Sequence, residues 1–130
     1  MNELIDDYDG ITRVLRLFIE GESTGDAAKL KSVCHPDARM FGRLADQRAD
    51  MSMGELAALC AQYPLDTDGG YRGRITSIVQ VGDAAIATVA EDHCWGGVSF
   101  VDFLSLARIN GEWKIVNKTF AHTGGKPPAF

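Results

Sequence analysis

The 130-residue chain has no run of the roughly 18 apolar residues needed to span a bilayer. Its acidic start, Met1 to Asp7, carries neither the basic flank nor the apolar segment of a signal peptide. A cytoplasmic setting without a membrane partner is expected. Basic clusters are missing as well: residues 1–70 hold 13 acids and 7 bases, residues 71–130 hold 5 acids and 6 bases, and the net charge is −5. Binding to a phosphate backbone requires clustered Lys and Arg, so nucleic acid is excluded as a partner. Cysteine is scarce, and Cys34, Cys60 and Cys94 fit no zinc spacing and would leave one thiol unpaired in any disulfide scheme. They read as reduced small hydrophobes. Neither a metal nor a cofactor is expected. Internal repeats and low-complexity segments are also lacking. What remains is ordinary globular composition, 45% hydrophobic and 24% charged, enough for one core. Residues 1–122 form the expected single domain, and the Gly- and Pro-containing residues 123–130 a flexible tail.

Helices come first. Tyr8, Ile11, Leu15 and Phe18 recur at helical spacing, and the stretch from Gly21 to Gly25 ends that helix. Asp26 caps a short second helix carrying Leu30 and Val33, stopped by Pro36. Two short strands are expected at 38–41 and 48–51. Ser52 and Glu55 have capping-box spacing and open a third helix that ends before Pro64. From Arg72 onward, β-branched runs are divided by the turn pairs Gly82-Asp83, Gly96-Gly97 and Asn110-Gly111. These predict antiparallel strands over about 72–81, 84–95, 98–109 and 112–121. A twelve-residue strand is about 40 Å long, so the expected fold is α+β with three N-terminal helices on the concave face of a strongly bent antiparallel sheet. Such a cone leaves a pocket at its open end.

Two-residue turns fix which residues oppose each other across the strands. On the helix-covered face this gives a row of Ile78, Ala87, Leu106 and Ile115, a row of Thr76, Val89, Leu104 and Asn117, and a row of Arg74, Glu91, Asp102 and Thr119. His93 and Phe100 lie one row further out, and Trp95 flanks the turn at the pocket mouth. Glu91 and Asp102 on adjacent strands would repel if both were ionised, so one needs a partner or a proton. Arg74 is placed to hold Glu91 ionised, which makes Asp102 the acid/base candidate. His93 can assist proton movement at physiological pH. Arg74, Asn117, Thr119, Phe100, Leu104 and Trp95 are the expected binding residues. Lys114 and Lys118 fall on the outer face, beside an apolar patch of Ile75, Val79, Ile86, Val101, Phe103 and Phe120. A patch of that size points to a homodimer.

The stretches Phe18-Ile19-Glu20-Gly21, Gly25-Asp26-Ala27, His35-Pro36-Asp37-Ala38, Phe100 through Leu106 and Asn110 through Lys118 resemble the NTF2-like superfamily. Within it they are similar to the putative lumazine-binding, SnoaL-like family. The resemblance spans about residues 5–122 and implies a conical, cystatin-like α+β domain with an internal pocket, dimeric through its sheet. It supplies no settled catalytic set. Tyr8 and Tyr63 lie at helix ends, so an isomerase-type tyrosine donor has no evident place. Three readings stand: a pocket for an apolar or aromatic small molecule with a polar edge; an isomerase, dehydratase or cyclase using Asp102, Glu91 and His93; or a non-catalytic dimeric adaptor or transport module with a closed interior.

Overall fold

The computed structural model describes residues 3–129. Helix α1 spans Glu3–Thr24 and buries Ile11, Leu15 and Phe18 on one face, while Tyr8, one turn earlier, is exposed. Helix α2, Ala27–Ser32, is capped by Asp26, whose side chain accepts from the Lys29 backbone N–H at 3.0 Å. Helix α3, Met53–Gln62, opens on a complete capping box: Glu55 N–H donates to Ser52 Oγ, and Ser52 N–H to Glu55 Oε1, each at 3.0 Å. Six strands follow the order β2-β1-β6-β5-β4-β3, with ranges β1 Cys34–Leu44, β2 Gln47–Ser52, β3 Arg72–Val81, β4 Ala84–Cys94, β5 Val98–Ile109 and β6 Glu112–Gly124. Pro36 thus ends no helix directly but sits near the start of a strand.

Two features of the expected sheet are corrected. It is mixed, because β1 runs parallel to β6, and it is not strongly curled. Strand length demands a bend only if three helices must cover the whole sheet, and they do not. The helices cover the main core around Phe18, Leu30, Leu104 and Ile115. Past them, the 63–71 segment takes over: Leu65 packs with Cys94, Val98 and Phe100 in a second, smaller core.

Register decides which side chains enter the space between those cores. The turns at Gly82 and Asn110-Gly111 are tight and left-handed, with φ of 57°, 52° and 80°, and near them the expected pairs hold: Ile78 opposes Ala87 and Leu106 opposes Ile115. Farther out, β-bulges intervene. On β3, Ile75 pairs with Val89 and Ser77 with Thr88, leaving Thr76 as the extra residue. On β6, Ile115 pairs with Leu106 and Asn117 with Ser105, leaving Val116 extra. Each bulge swings every residue beyond it to the other face. Arg74, Asn117 and Thr119 therefore leave the helix side, and Ile75, Lys118 and Phe120 enter it. Between β4 and β5 the loop is Trp95-Gly96-Gly97, with Cys94 opposite Val98, and a further register shift between Glu91 and Cys94 leaves Glu91 opposite Phe100 and Val89 opposite Asp102. That shift of two residues preserves facing, and Glu91 and Asp102 stay inside.

Candidate functional site

Four ionisable side chains from four elements converge where the helices end. Glu22 continues the apolar stripe of α1 one turn past Phe18. Glu91 comes from β4, Asp102 from β5, and Lys118 from β6 beyond the Val116 bulge. All are buried, at 1%, 3%, 1% and 6% exposure. Lys118 Nζ donates to Glu22 Oε2 at 2.7 Å and stands 3.6 Å from Asp102 Oδ2. Tyr71, just before β3, donates its hydroxyl to Glu91 Oε2 at 2.6 Å. Glu22 Oε1 and both Asp102 oxygens receive no bond from an N–H or hydroxyl group among the described residues; their neighbour within hydrogen-bonding reach is the Glu91 carboxyl, which serves them when it carries a proton.

Three carboxyls against one ammonium cannot all be ionised cheaply in a dry interior. Burial, followed by the charges of Asp102 and Glu22, holds Glu91 well above the ordinary carboxylate range, which makes it the member that keeps a proton. Burial likewise pushes Glu22 up to about 6, against the pull of Lys118. Burial disfavours the Lys118 ammonium, yet Asp102, Glu22 and Glu91 together outweigh it and raise its pKa above the ordinary lysine value. Tyr71 is also raised, by burial and then by Glu91, and so remains a donor. The three carboxyls each place an oxygen within 4.8 Å of the others, a spacing that could ligate a divalent ion. In this fold Lys118 already stands among them as the counter-charge.

The cluster floors a cavity of about 300 Å³. Glu22, Glu91 and Lys118 reach its surface, Met51, Leu56 and Leu59 form apolar walls, and Gln47 and Arg48 lie at its lining from β2. Trp95, Phe100 and Phe120 make an aromatic side: Trp95 meets Phe100 edge-on with centroids 5.9 Å apart, and Phe100 meets Phe120 at 5.7 Å. Trp95 is fixed by its indole N–H to Tyr63 O at 3.2 Å and by its backbone N–H to Leu65 O at 2.8 Å.

Of the residues expected from sequence, Glu91, Phe100 and Trp95 line the cavity. Asp102 lies behind its floor, and Leu104 is fully buried in the main core. Arg74 does not pair with Glu91; it opposes Ala90 and donates to Gly73 O at 2.9 Å. Asn117 and Thr119 hydrogen-bond to each other on the outer face, at 3.1 Å. His93 turns away from the carboxyls: its φ is +57°, and its Nε2 lies 2.8 Å from Asp68 Oδ2 in the loop before β3. Glu22, Lys118 and Tyr71 were not foreseen. Glu22 could have been, since a carboxylate at the next position of the stripe Ile11, Leu15, Phe18 contradicts the helix's own pattern. Lys118 could not, because its facing depends on a bulge.

An α+β domain with helices over one sheet face and a polar-floored cavity between them is the architecture of NTF2-like pocket proteins. The chain belongs to the putative lumazine-binding family, which matches residues 6–121. It is similar to an NTF2-like protein of unknown function from Methylobacillus flagellatus KT, at 31% identity and TM-score 0.83, over 92% of this chain and 94% of that one. A second NTF-2 like protein of unknown function, from Silicibacter pomeroyi DSS-3, matches at 24% identity and TM-score 0.84 over 95% and 100%. Aldolase FrzH of Cladobotryum sp. is 23% identical over 114 residues, 88% of this chain and 90% of that protein.

Proposed function

We propose that the protein binds a small, largely apolar or aromatic molecule, body against the aromatic side and polar edge on the floor. One observation carries this: a cavity of about 300 Å³ whose apolar walls end on Glu22, Glu91 and Lys118. Sites of this make-up, apolar with a few convergent polar groups, are the usual form of small-molecule pockets. The adaptor reading required a closed interior, and the cavity speaks against it. Native mass spectrometry of the purified protein tests the proposal, with Leu59→Trp as a cavity-filled control. A co-purified adduct lost in the control supports it. No adduct, together with no thermal stabilisation by aromatic fragments, defeats it.

A second reading, proton-transfer catalysis, is favoured by the pairing of a proton-holding Glu91 with Glu22 near 6 at the cavity surface. It moves the acid/base role from Asp102 to these two and leaves His93 out. The similarity to an aldolase supports carbonyl chemistry. Lys118, held as an ammonium, has no lone pair for a Schiff base and suits stabilisation of a developing oxyanion instead. Turnover that survives Glu91→Gln and Glu22→Gln would remove this reading.

A homodimer through the outer sheet face is supported by exposed Phe41, Val79, Ile86 and Phe103. A cytoplasmic setting is supported by three free thiols. No described helix is long and apolar enough to cross a membrane.

A further inference from the structure

A second cavity, of about 510 Å³, lies toward the opposite end of α1 and shares no lining residue with the first. Gly10 at its edge is about 18 Å along the helix from Glu22. The first half of α1, the end of α2 and the β5–β6 hairpin form its wall, and the hairpin contributes Trp113. Trp113 is 7% exposed, and its indole N–H meets no acceptor among the described residues. A buried tryptophan ordinarily finds one, as Trp95 does in Tyr63 O.

Gly10 keeps the space beside this N–H open. A Cβ there would stand 3.1 Å from Trp113 Cδ1 and 3.7 Å from Nε1, two atoms of the pyrrole edge. Glycine inside a helix is destabilising relative to alanine, and this one is itself part of the cavity lining. The indole edge and the gap in the helix therefore open onto the same space.

Most charges around that space are spent. Asp7 takes Arg108 and accepts from Gln80 Nε2 at 2.8 Å. Arg108 donates Nε–H to Asp83 at 2.8 Å, with its guanidinium 5.2 Å over the Trp113 ring. Lys114 donates to Ser32 O at 2.7 Å and pairs with Glu112 at 3.5 Å. Two charges are left over. Asp6 and Arg13 line the cavity, and neither side chain has an ion pair or hydrogen-bond partner among the described residues. They stand one turn to either side of Gly10, on one stripe of α1. Past Arg13 the stripe turns apolar with Val14 and Leu17, and Val33 joins them from the end of α2.

The unmet groups are thus one N–H donor, one cation and one anion around an open space. A carboxylate alone would serve the indole and Arg13 but oppose Asp6. An amine alone would serve Asp6, oppose Arg13 and leave the indole unmet. A molecule carrying both groups meets all three. We propose that this cavity is a second binding site, for an apolar α-amino acid: carboxylate on the Trp113 N–H and Arg13, ammonium on Asp6, side chain along Val14, Leu17 and Val33. The inference does not depend on how the first cavity is read.

NMR titration near neutral pH, followed at the two indole N–H signals, tests it with three probes. These are L-leucine; isocaproate, which is leucine without its ammonium; and isoamylamine, which is leucine without its carboxylate. Trp95→Phe assigns the signals. Leucine is expected to move the Trp113 signal and not that of Trp95, and to bind at least about tenfold more tightly than either single-charge analogue. Gly10→Ala, with an unchanged far-ultraviolet spectrum, sets a methyl group against the indole edge and should weaken leucine at least about tenfold. If that variant does not fold, the two exposed positions decide: Asp6→Asn should bring leucine down to the affinity of isocaproate, and Arg13→Gln to that of isoamylamine. Equal affinities for the three probes, a shift confined to Trp95, leucine binding untouched by Asp6→Asn and Arg13→Gln, or no binding of leucine would each overturn the inference and leave the reading of the first cavity standing.

Discussion

Lys118 is the side chain on which the buried cluster turns, and its removal exposes what it offsets. Lys118→Met leaves three carboxyls without a cation, and breaking a buried pair in this way costs about 3–5 kcal/mol. Urea unfolding should show the loss, larger at alkaline than at mildly acidic pH because the carboxyls then ionise against each other. Glu91 gives the complementary test. Its folded-state pKa is raised above the ordinary 4.5 by burial and by neighbouring carboxylates, so its contribution to stability is full below that value and is lost as pH rises through the folded-state pKa. Glu22 adds a loss in the window from 4.5 to about 6. Glu91→Gln, neutral at every pH, should therefore lose less stability than the wild type as pH rises above 4.5, read as the change in urea midpoint at constant slope. Two members of this site, Glu91 and Asp102, are legible in the sequence, because alternation along β4 and β5 turns both inward even though the hairpin register between them is shifted by two. Glu22 was missed, although a charged residue where the helix stripe requires an apolar one is a signal for it. Lys118 and Tyr71 were hidden, one by a bulge and the other in a segment without periodicity.

The helices and strands were easier to read than their facing. Asp26 and the Ser52-Glu55 box announce α2 and α3 by local hydrogen-bonding chemistry, which needs no tertiary context. Ser52→Ala should thus cost about 1 kcal/mol, seen as a lower urea midpoint with an unchanged slope and no change in the cavity. The strand ends followed from glycine and asparagine turns, but the bulges at Thr76 and Val116 left no mark that alternation could detect, and each inverted a candidate site residue. The parallel neighbour of β6 was likewise invisible: β1 is local in sequence to helices α2 and α3, and only the packed molecule brings it alongside the last strand.

At the scale of the molecule, the outer sheet face and the cavity make separable claims. Phe103 stands exposed in the outer row that joins Ser77, Thr88, Thr119 and Phe41. Phe103→Glu is expected to convert the proposed homodimer to a monomer in sedimentation velocity, because charge repulsion and desolvation would be incurred once on each side of a symmetric interface. Binding of aromatic fragments in the cavity should be unchanged.

The three cysteines add a use of a different kind. Cys34 and Cys60 lie in the main core and Cys94 in the smaller one, all free and buried. Burial pushes Cys34 up to about 12 and raises the other two as well, so none presents a thiolate while the chain is closed. Alkylation must then wait for each region to open, and peptide mapping of a timed iodoacetamide reaction would clock the two cores separately. If the far end breathes independently of the helical layer, Cys94 will be tagged first.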